Sequence, residues 1–176
     1  MTFAHDTNDA LVASAALVNT LYDGLLITLD DLNLLLERHA FTGTRAHDQA
    51  ELQSVRDLRP RLRAFWNGNL DANAALVNDI LAEYRALPQL VRHDDVPWHI
   101  HAVAFDAPLA RRMAVEAAMA MADVVRSNEL QRLRICAADD CGDVLVDLSR
   151  NRSKRFCEGG CGNRTNVAAY RARSRM

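Results

Sequence analysis

Apolar residues recur at intervals of three and four through most of the first 128 positions, the spacing of one face of an α-helix. Leu11, Ala15, Val18 and Tyr22 form the first stripe, closed by the turn signal Asp23-Gly24. Leu32, Leu35 and Leu36 share one side of a short second helix, which Asp30 or Asp31 can cap. A third stripe, Val55, Leu58, Leu62 and Phe65, contains Pro60. Proline lacks an N–H and crowds the preceding turn, so a kink or division is expected there. Asp71 is placed to cap a fourth helix bearing Leu76, Ile80, Tyr84 and Leu87, which Pro88 stops. Between Gln89 and Phe105 the period changes: two short apolar runs flank Arg92-His93-Asp94-Asp95, and Val96-Pro97 opens the second, which predicts a hairpin. Asp106 and Pro108 open a fifth helix with Leu109, Met113, Ala117, Met121 and Val124 facing inward, and Ser127-Asn128 marks a boundary. The expected fold is α+β: a mainly helical domain with a small hairpin over 1–128, then a small module over 129–176.

That module holds all four cysteines, as C-x4-C (Cys136, Cys141) and, fifteen residues on, C-x3-C (Cys157, Cys161). Tetrahedral zinc takes four thiolates at about 2.3 Å, and two close pairs on two turns supply them. Val144, Leu145, Val146 and Leu148 provide a β-type run for a hairpin between the pairs. A disulfide framework is the rival reading; the polar start MTFAHDTNDA, unlike a secretory leader, and the absence of other cysteines count against it. Four thiolates leave no position for water, so one zinc would be structural and not catalytic. So short a module cannot bury much core, and zinc-binding energies of roughly 10–16 kcal/mol would become folding energy.

Charge adds a second division. Residues 1–125 carry ten arginines against seventeen acidic residues, whereas 150–176 carries eight basic residues against Glu158 alone. A basic end on an acidic body points to an anionic partner. The longest near-apolar stretch, 10–18, is far below the roughly 18 residues of a membrane span, so a cytoplasmic location is expected. His99 and His101 alternate on one strand face and read as structural. Arg56, Arg59 and Arg63 read as a solvated helix face, and Met113, Met119 and Met121 as core. There is no Ser/His/Asp arrangement, no Gly-rich phosphate loop and no open metal position, so no enzyme is expected.

The stretch LSRNRSKRFCEGGCGNR (148–164), with RLRICAADDCG around the first cysteine pair, resembles the CGNR zinc-finger proteins, a bacterial family named for the residues that stand here as Cys161-Gly162-Asn163-Arg164. Leu17-Val18-Asn19-Thr20 is similar to the opening motif of the ABATE domain, the stress-induced transcription regulator domain that precedes the finger in that family. The resemblance is strong over 132–173 and weaker before it. Two departures stand out: the second pair is C-x3-C where the family has C-x4-C, and Phe156 replaces a tryptophan. Gly159-Gly160 fill the shortened loop.

The resemblance implies a zinc-ribbon-like or treble-clef-like module holding one structural zinc through Cys136, Cys141, Cys157 and Cys161, and a regulator of transcription that binds nucleic acid, DNA before RNA. The residues expected to meet nucleic acid are Arg150, Arg152, Lys154, Arg155, Asn163 and Arg164, with Asn163 near the cap of a helix after Cys161. Arg155 and Arg164 have a competing use, offsetting the −2 charge of a zinc tetrathiolate. The helical domain would sense a signal or mediate assembly, homo-oligomers included. The alternatives are an RNA-binding finger, or a protein-interaction module whose basic face docks an acidic partner.

Overall fold

The chain opens with α1 (His5–Asn19), α2 (Leu29–Arg38), α3 (Gln49–Arg63), a 3-10 turn (Ala64–Trp66) and α4 (Leu70–Glu83) in a computed structural model that describes residues 3–22, 24–92 and 98–173. A hairpin of β1 (Gln89–Val91) and β2 (His99–His101) follows, then α5 (Leu109–Arg126), a 3-10 turn (Leu130–Arg132), a second hairpin of β3 (Leu133–Ile135) and β4 (Val144–Val146), and α6 (Cys161–Arg173). None of the described helices is long and apolar enough to cross a membrane.

α5 is the central element, against which α1, α3 and α4 all pack. Its predicted inward residues Leu109, Met113, Ala117, Met121 and Val124 are buried, and Ala110, Ala114, Ala118 and Ala120 widen that face. Small side chains on α5 let its neighbours approach closely. The neighbours then supply the bulk, with Leu11, Val18, Val55, Leu62, Phe65 and Ile80 buried from the other side. Met113 and Met121 are core residues, and Met119 is half-buried.

Several local expectations shift by a few residues. α1 ends at Asn19, so Tyr22 lies beyond it, exposed, with the Arg63 guanidinium 5.4 Å from its ring centre; Asp23 lies outside the described residues. Thr28, and not Asp30 or Asp31, caps α2. Its hydroxyl accepts from the Asp31 N–H at 3.2 Å while the Asp31 carboxylate accepts from the Thr28 N–H at 2.8 Å, a reciprocal capping box. Asn69, and not Asp71, caps α4, accepting from the Ala72 N–H at 2.9 Å. Pro60 does not divide α3. The carbonyl it leaves without a backbone donor, that of Arg56, accepts from Arg59 Nε at 3.0 Å, so the helix runs on to Arg63.

The first hairpin forms as expected, pairing Gln89 with His101, Leu90 with Ile100 and Val91 with His99. Its expected turn over 93–97 lies outside the described residues. In the second hairpin Leu133 pairs with Val146, Arg134 with Leu145 and Ile135 with Val144. The β-type run therefore pairs backwards, with a strand ahead of the first cysteine, and Cys136–Cys141 is the loop of that hairpin. The run does not fold onto the residues after it because 149–155 is polar throughout, with no alternating apolar face to oppose Val144 and Val146.

Leu133, Val144 and Val146 join the helical core, with β4 lying on α1. Buried Trp66 donates its indole N–H to the Leu145 carbonyl at 3.0 Å, and Arg63 donates to the Gly142 carbonyl at 2.7 Å. Arg59 donates to the Thr20 carbonyl at 3.0 Å, past the end of α1. The arginines of α3 expected to be a solvated face are half-buried, and Arg59 and Arg63 are cross-links.

Candidate metal centre and its basic surface

Each cysteine is placed by a different local device. Cys136 follows β3, Cys141 ends the knuckle before β4, Cys157 lies in the irregular chain between β4 and α6, and Cys161 is the first residue of α6. Their four sulfurs lie within 4.8 Å of one another, with Cys141 and Cys157 at 3.8 Å and Cys157 and Cys161 at 3.5 Å. A regular tetrahedron with zinc–sulfur bonds of about 2.3 Å has edges of about 3.8 Å, so the cluster fits the ion. Gly160 makes the shortened second loop workable: it takes the left-handed backbone at φ 78° directly before α6.

Backbone N–H groups two residues on aim at the sulfurs: Ala138 at Cys136, Asp143 at Cys141 and Gly159 at Cys157. Burial opposes ionisation of the Cys136 thiol, but the N–H groups of Ala138 and Cys157 outweigh it and lower its pKa. Burial pushes Cys141 up to about 11, and burial with the nearby Asp143 carboxyl pushes Cys157 above the ordinary thiol range. Four thiolates so close together need a cation to exist, and a divalent ion supplies it. All four positions are protein sulfurs, three of them buried and packed with Leu145 and Phe156, so the site holds one structural zinc with no place for a reacting water.

The basic residues divide by what they touch. Arg164 lies 3.2 Å from Asp140 and 3.3 Å from the Cys161 sulfur, and both raise its pKa, Asp140 the more. Arg152 pairs with Glu129 at 2.6 Å, and Lys154 with Glu158 at 2.5 Å. The Arg155 guanidinium lies 5.8 Å from the centre of the Phe156 ring, which in turn packs on Gly162. Arg150 stands exposed in the turn before Arg152, and Asn163 is exposed as the third residue of α6.

Three residues that shape this surface escaped the sequence reading. Asp147 is fully buried, and its carboxylate accepts from the Ser149 N–H at 3.0 Å, the Ser149 hydroxyl at 2.5 Å and the Lys154 N–H at 2.9 Å. Burial alone would raise its pKa, but these donors and Arg134 outweigh it and hold it below the usual carboxylate range. Arg132, buried, donates to the carbonyls of Asp147 at 2.7 Å and Ser149 at 3.0 Å. Arg134 donates to those of Arg152 at 2.8 Å and Lys154 at 3.1 Å. The loop that follows β4 is thus wound around one carboxylate and tied by Arg132 to the Leu130–Arg132 turn and by Arg134 to β3. The Asp147-Leu148-Ser149 spacing, an aspartate whose side chain reaches the N–H two residues on, was the available signal.

Residues 132–174 match the family model described as the CGNR zinc finger, and residues 11–128 match ABATE, described as "Putative stress-induced transcription regulator". The resemblance read from 148–164 and from Leu17-Val18-Asn19-Thr20 is confirmed by both matches. A comparison with curated proteins found no match.

Proposed function

The chain belongs to the ABATE family, and from that premise we propose that it is a cytoplasmic transcription regulator that binds nucleic acid, duplex DNA in preference to RNA, through its zinc finger. One observation carries the reading: the basic residues of 150–155 project from a loop held by Arg132, Arg134 and Asp147 beside a metal-fixed fold, on a chain that is acidic elsewhere. Phosphate contacts made from an ordered loop cost less conformational entropy than contacts from a loose tail. Among the described residues Arg150 and Arg155 make no ion pair, so they meet phosphate without giving one up. Arg152, Lys154 and Arg164 would exchange Glu129, Glu158 and Asp140 for it.

Recognition of single-stranded RNA favours exposed aromatic platforms. Phe156 is half-buried against Gly162, which leaves Tyr170 as the single exposed aromatic among the finger's described residues. The closed metal site supports a role without catalysis, and the helical body is assigned to sensing a signal or to assembly. The test is a titration of random duplex DNA with zinc-loaded protein at two salt concentrations. Neutralising four phosphates gives a log K against log salt slope near −3.6, at about −0.9 per phosphate. No measurable duplex affinity at about 50 mM salt, a regime that favours non-specific binding, refutes the reading. Binding to an acidic protein instead would make the finger a protein-interaction module.

A further inference from the structure

Past its first turn, the helix α6 serves neither the zinc cluster nor the described hydrophobic core. It runs for 13 residues from a metal ligand, Cys161, about 20 Å at 1.5 Å per residue. Its first turn is fixed: Cys161 faces the metal, Phe156 packs on Gly162, and the Thr165 hydroxyl donates back to the Cys161 carbonyl at 2.9 Å. Beyond that turn every described side chain is exposed. Asn163, Val167 and Tyr170 fall at i, i+4 and i+7, a single stripe on the side opposite Cys161, Gly162 and Thr165. Val167 and Tyr170 on that stripe are 39% and 66% exposed. Arg164, Arg171 and Arg173 flank it, and α6 has no acidic residue.

Resting on the nucleic-acid reading above, we propose that α6 enters the major groove of duplex DNA, where Asn163 and Arg171 read base edges and Val167 and Tyr170 make apolar contact with thymine methyl groups. Charge selects the occupant, because a helix bearing only positive charge on its exposed flanks is complementary to a polyanion. Size agrees, since a helix with its side chains is about 10–12 Å across and the major groove about 12 Å wide. The side chains fit the groove's code: asparagine pairs bidentately with adenine and arginine with guanine. Zinc makes the insertion rigid, because the ion holds the first residue of the reading helix. Arg155, tied to the same turn through Phe156 and Gly162, is the adjoining phosphate contact. The finger thus divides its labour between a loop that grips the backbone and a helix that reads sequence.

The test uses the full-length, zinc-loaded protein and a pool of randomised duplexes. Selection is expected to enrich a short motif. Methylating guanine N7 within it, in the major groove, should block binding, whereas the minor-groove ligand netropsin should not compete. Asn163→Ala should cut the preference for the selected site over a scrambled one about tenfold; Tyr170→Ala should cut the preference in the same way. Arg155→Ala should weaken both sites together and flatten the salt slope by about one. Salt-dependent binding with no enriched motif, or a motif indifferent to N7 methylation and to Asn163→Ala, overturns the groove reading while leaving the finger a backbone binder. Absence of binding to every duplex overturns that reading and the proposed function together.

Discussion

The side-chain amide of Asn19 makes two hydrogen bonds to the backbone of Val144, accepting from its N–H at 2.7 Å and donating to its carbonyl at 2.9 Å. An amide side chain so placed imitates one residue of a neighbouring strand and satisfies the outer edge of β4. Asn19 is the last residue of α1 and belongs to Leu17-Val18-Asn19-Thr20, so the motif that opens the helical region serves to hold the finger's hairpin. Replacing Asn19 with Ala leaves both Val144 groups without their partner, at a cost of about 2 kcal/mol. The thermal midpoint should fall by roughly 4–8 °C. An unchanged midpoint would show that water replaces the amide at no cost.

Metal removal should act unevenly. β3 and β4 are pinned to the helical core by Leu133, Val144, Val146 and Trp66, whereas 147–173 depends on the cluster and the loop wound about Asp147. With Cys157→Ser, or after chelation, hydrogen exchange should accelerate across 150–173 and remain slow at 133–135, 144–146 and throughout α5. One zinc per chain by elemental analysis is the companion expectation. Uniform loss of protection would instead make the ion a support of the whole fold.

Arg152 provides a sharp contrast between two uses of one charge. It is expected to leave Glu129 for phosphate, so Arg152→Ala should weaken duplex binding across all sequences and flatten the salt slope by about one unit. If it only anchors Glu129, the same change should lower the melting temperature and leave the slope where it was.

Glu116 gives the helical body a pH dependence of definite sign. It lies on α5 beside a small cavity lined by Thr42, His101, Phe105 and Arg112. Burial raises its pKa from 4.5 to about 7, with Arg112 pulling the other way. The folded state therefore binds a proton that the unfolded chain has released between pH 4.5 and 7, and stability falls as pH rises through that window. Glu116→Gln should remove this fall, worth about 2 kcal/mol, from urea titrations run at pH 5 and pH 8. Equal pH dependence in wild type and variant would place the effect elsewhere.

Arg132 tests whether the basic loop is preorganised. Buried beside Glu129 at 2.8 Å, it also holds the Asp147 and Ser149 carbonyls. Arg132→Ala leaves Glu129 with Arg152 but deprives the Asp147 and Ser149 carbonyls of their donor, and should destabilise by roughly 1–3 kcal/mol. Arg132→Lys keeps the charge but cannot hold Glu129 and the two carbonyls from separate nitrogens as Nε and Nη1 do, and should mobilise 149–155 and weaken duplex binding with a smaller loss of stability. Duplex affinity unaffected by Arg132→Lys would mean that loop order contributes nothing to binding.

What lies near in sequence could be read from sequence. The 3.6-residue period located the buried stripes of α1, α3 and α5 because one helical face meets the core whatever it packs against. The two cysteine pairs specified a zinc site because spacing and ligand chemistry are local facts. Even the misplaced caps had local signatures, since Thr28-x-x-Asp31 is a capping box and Asn69 precedes its helix directly. Contacts between distant segments carried no such mark. Asn19 and Val144 are 125 residues apart, Trp66 and Leu145 are 79 apart, and nothing in either neighbourhood names the other. The run from Val144 had polar or apolar chain on either side to choose from, and it paired with β3 because that register also buries Leu133, Val144 and Val146 in the helical core, with β4 on α1 and β3 on the Ala64–Trp66 turn. The arginines show the same limit. Spacing marked them as cations, but whether a guanidinium faces a carboxylate, a ring, a carbonyl or open solvent depends on where the chain returns, which packing sets and local pattern does not encode.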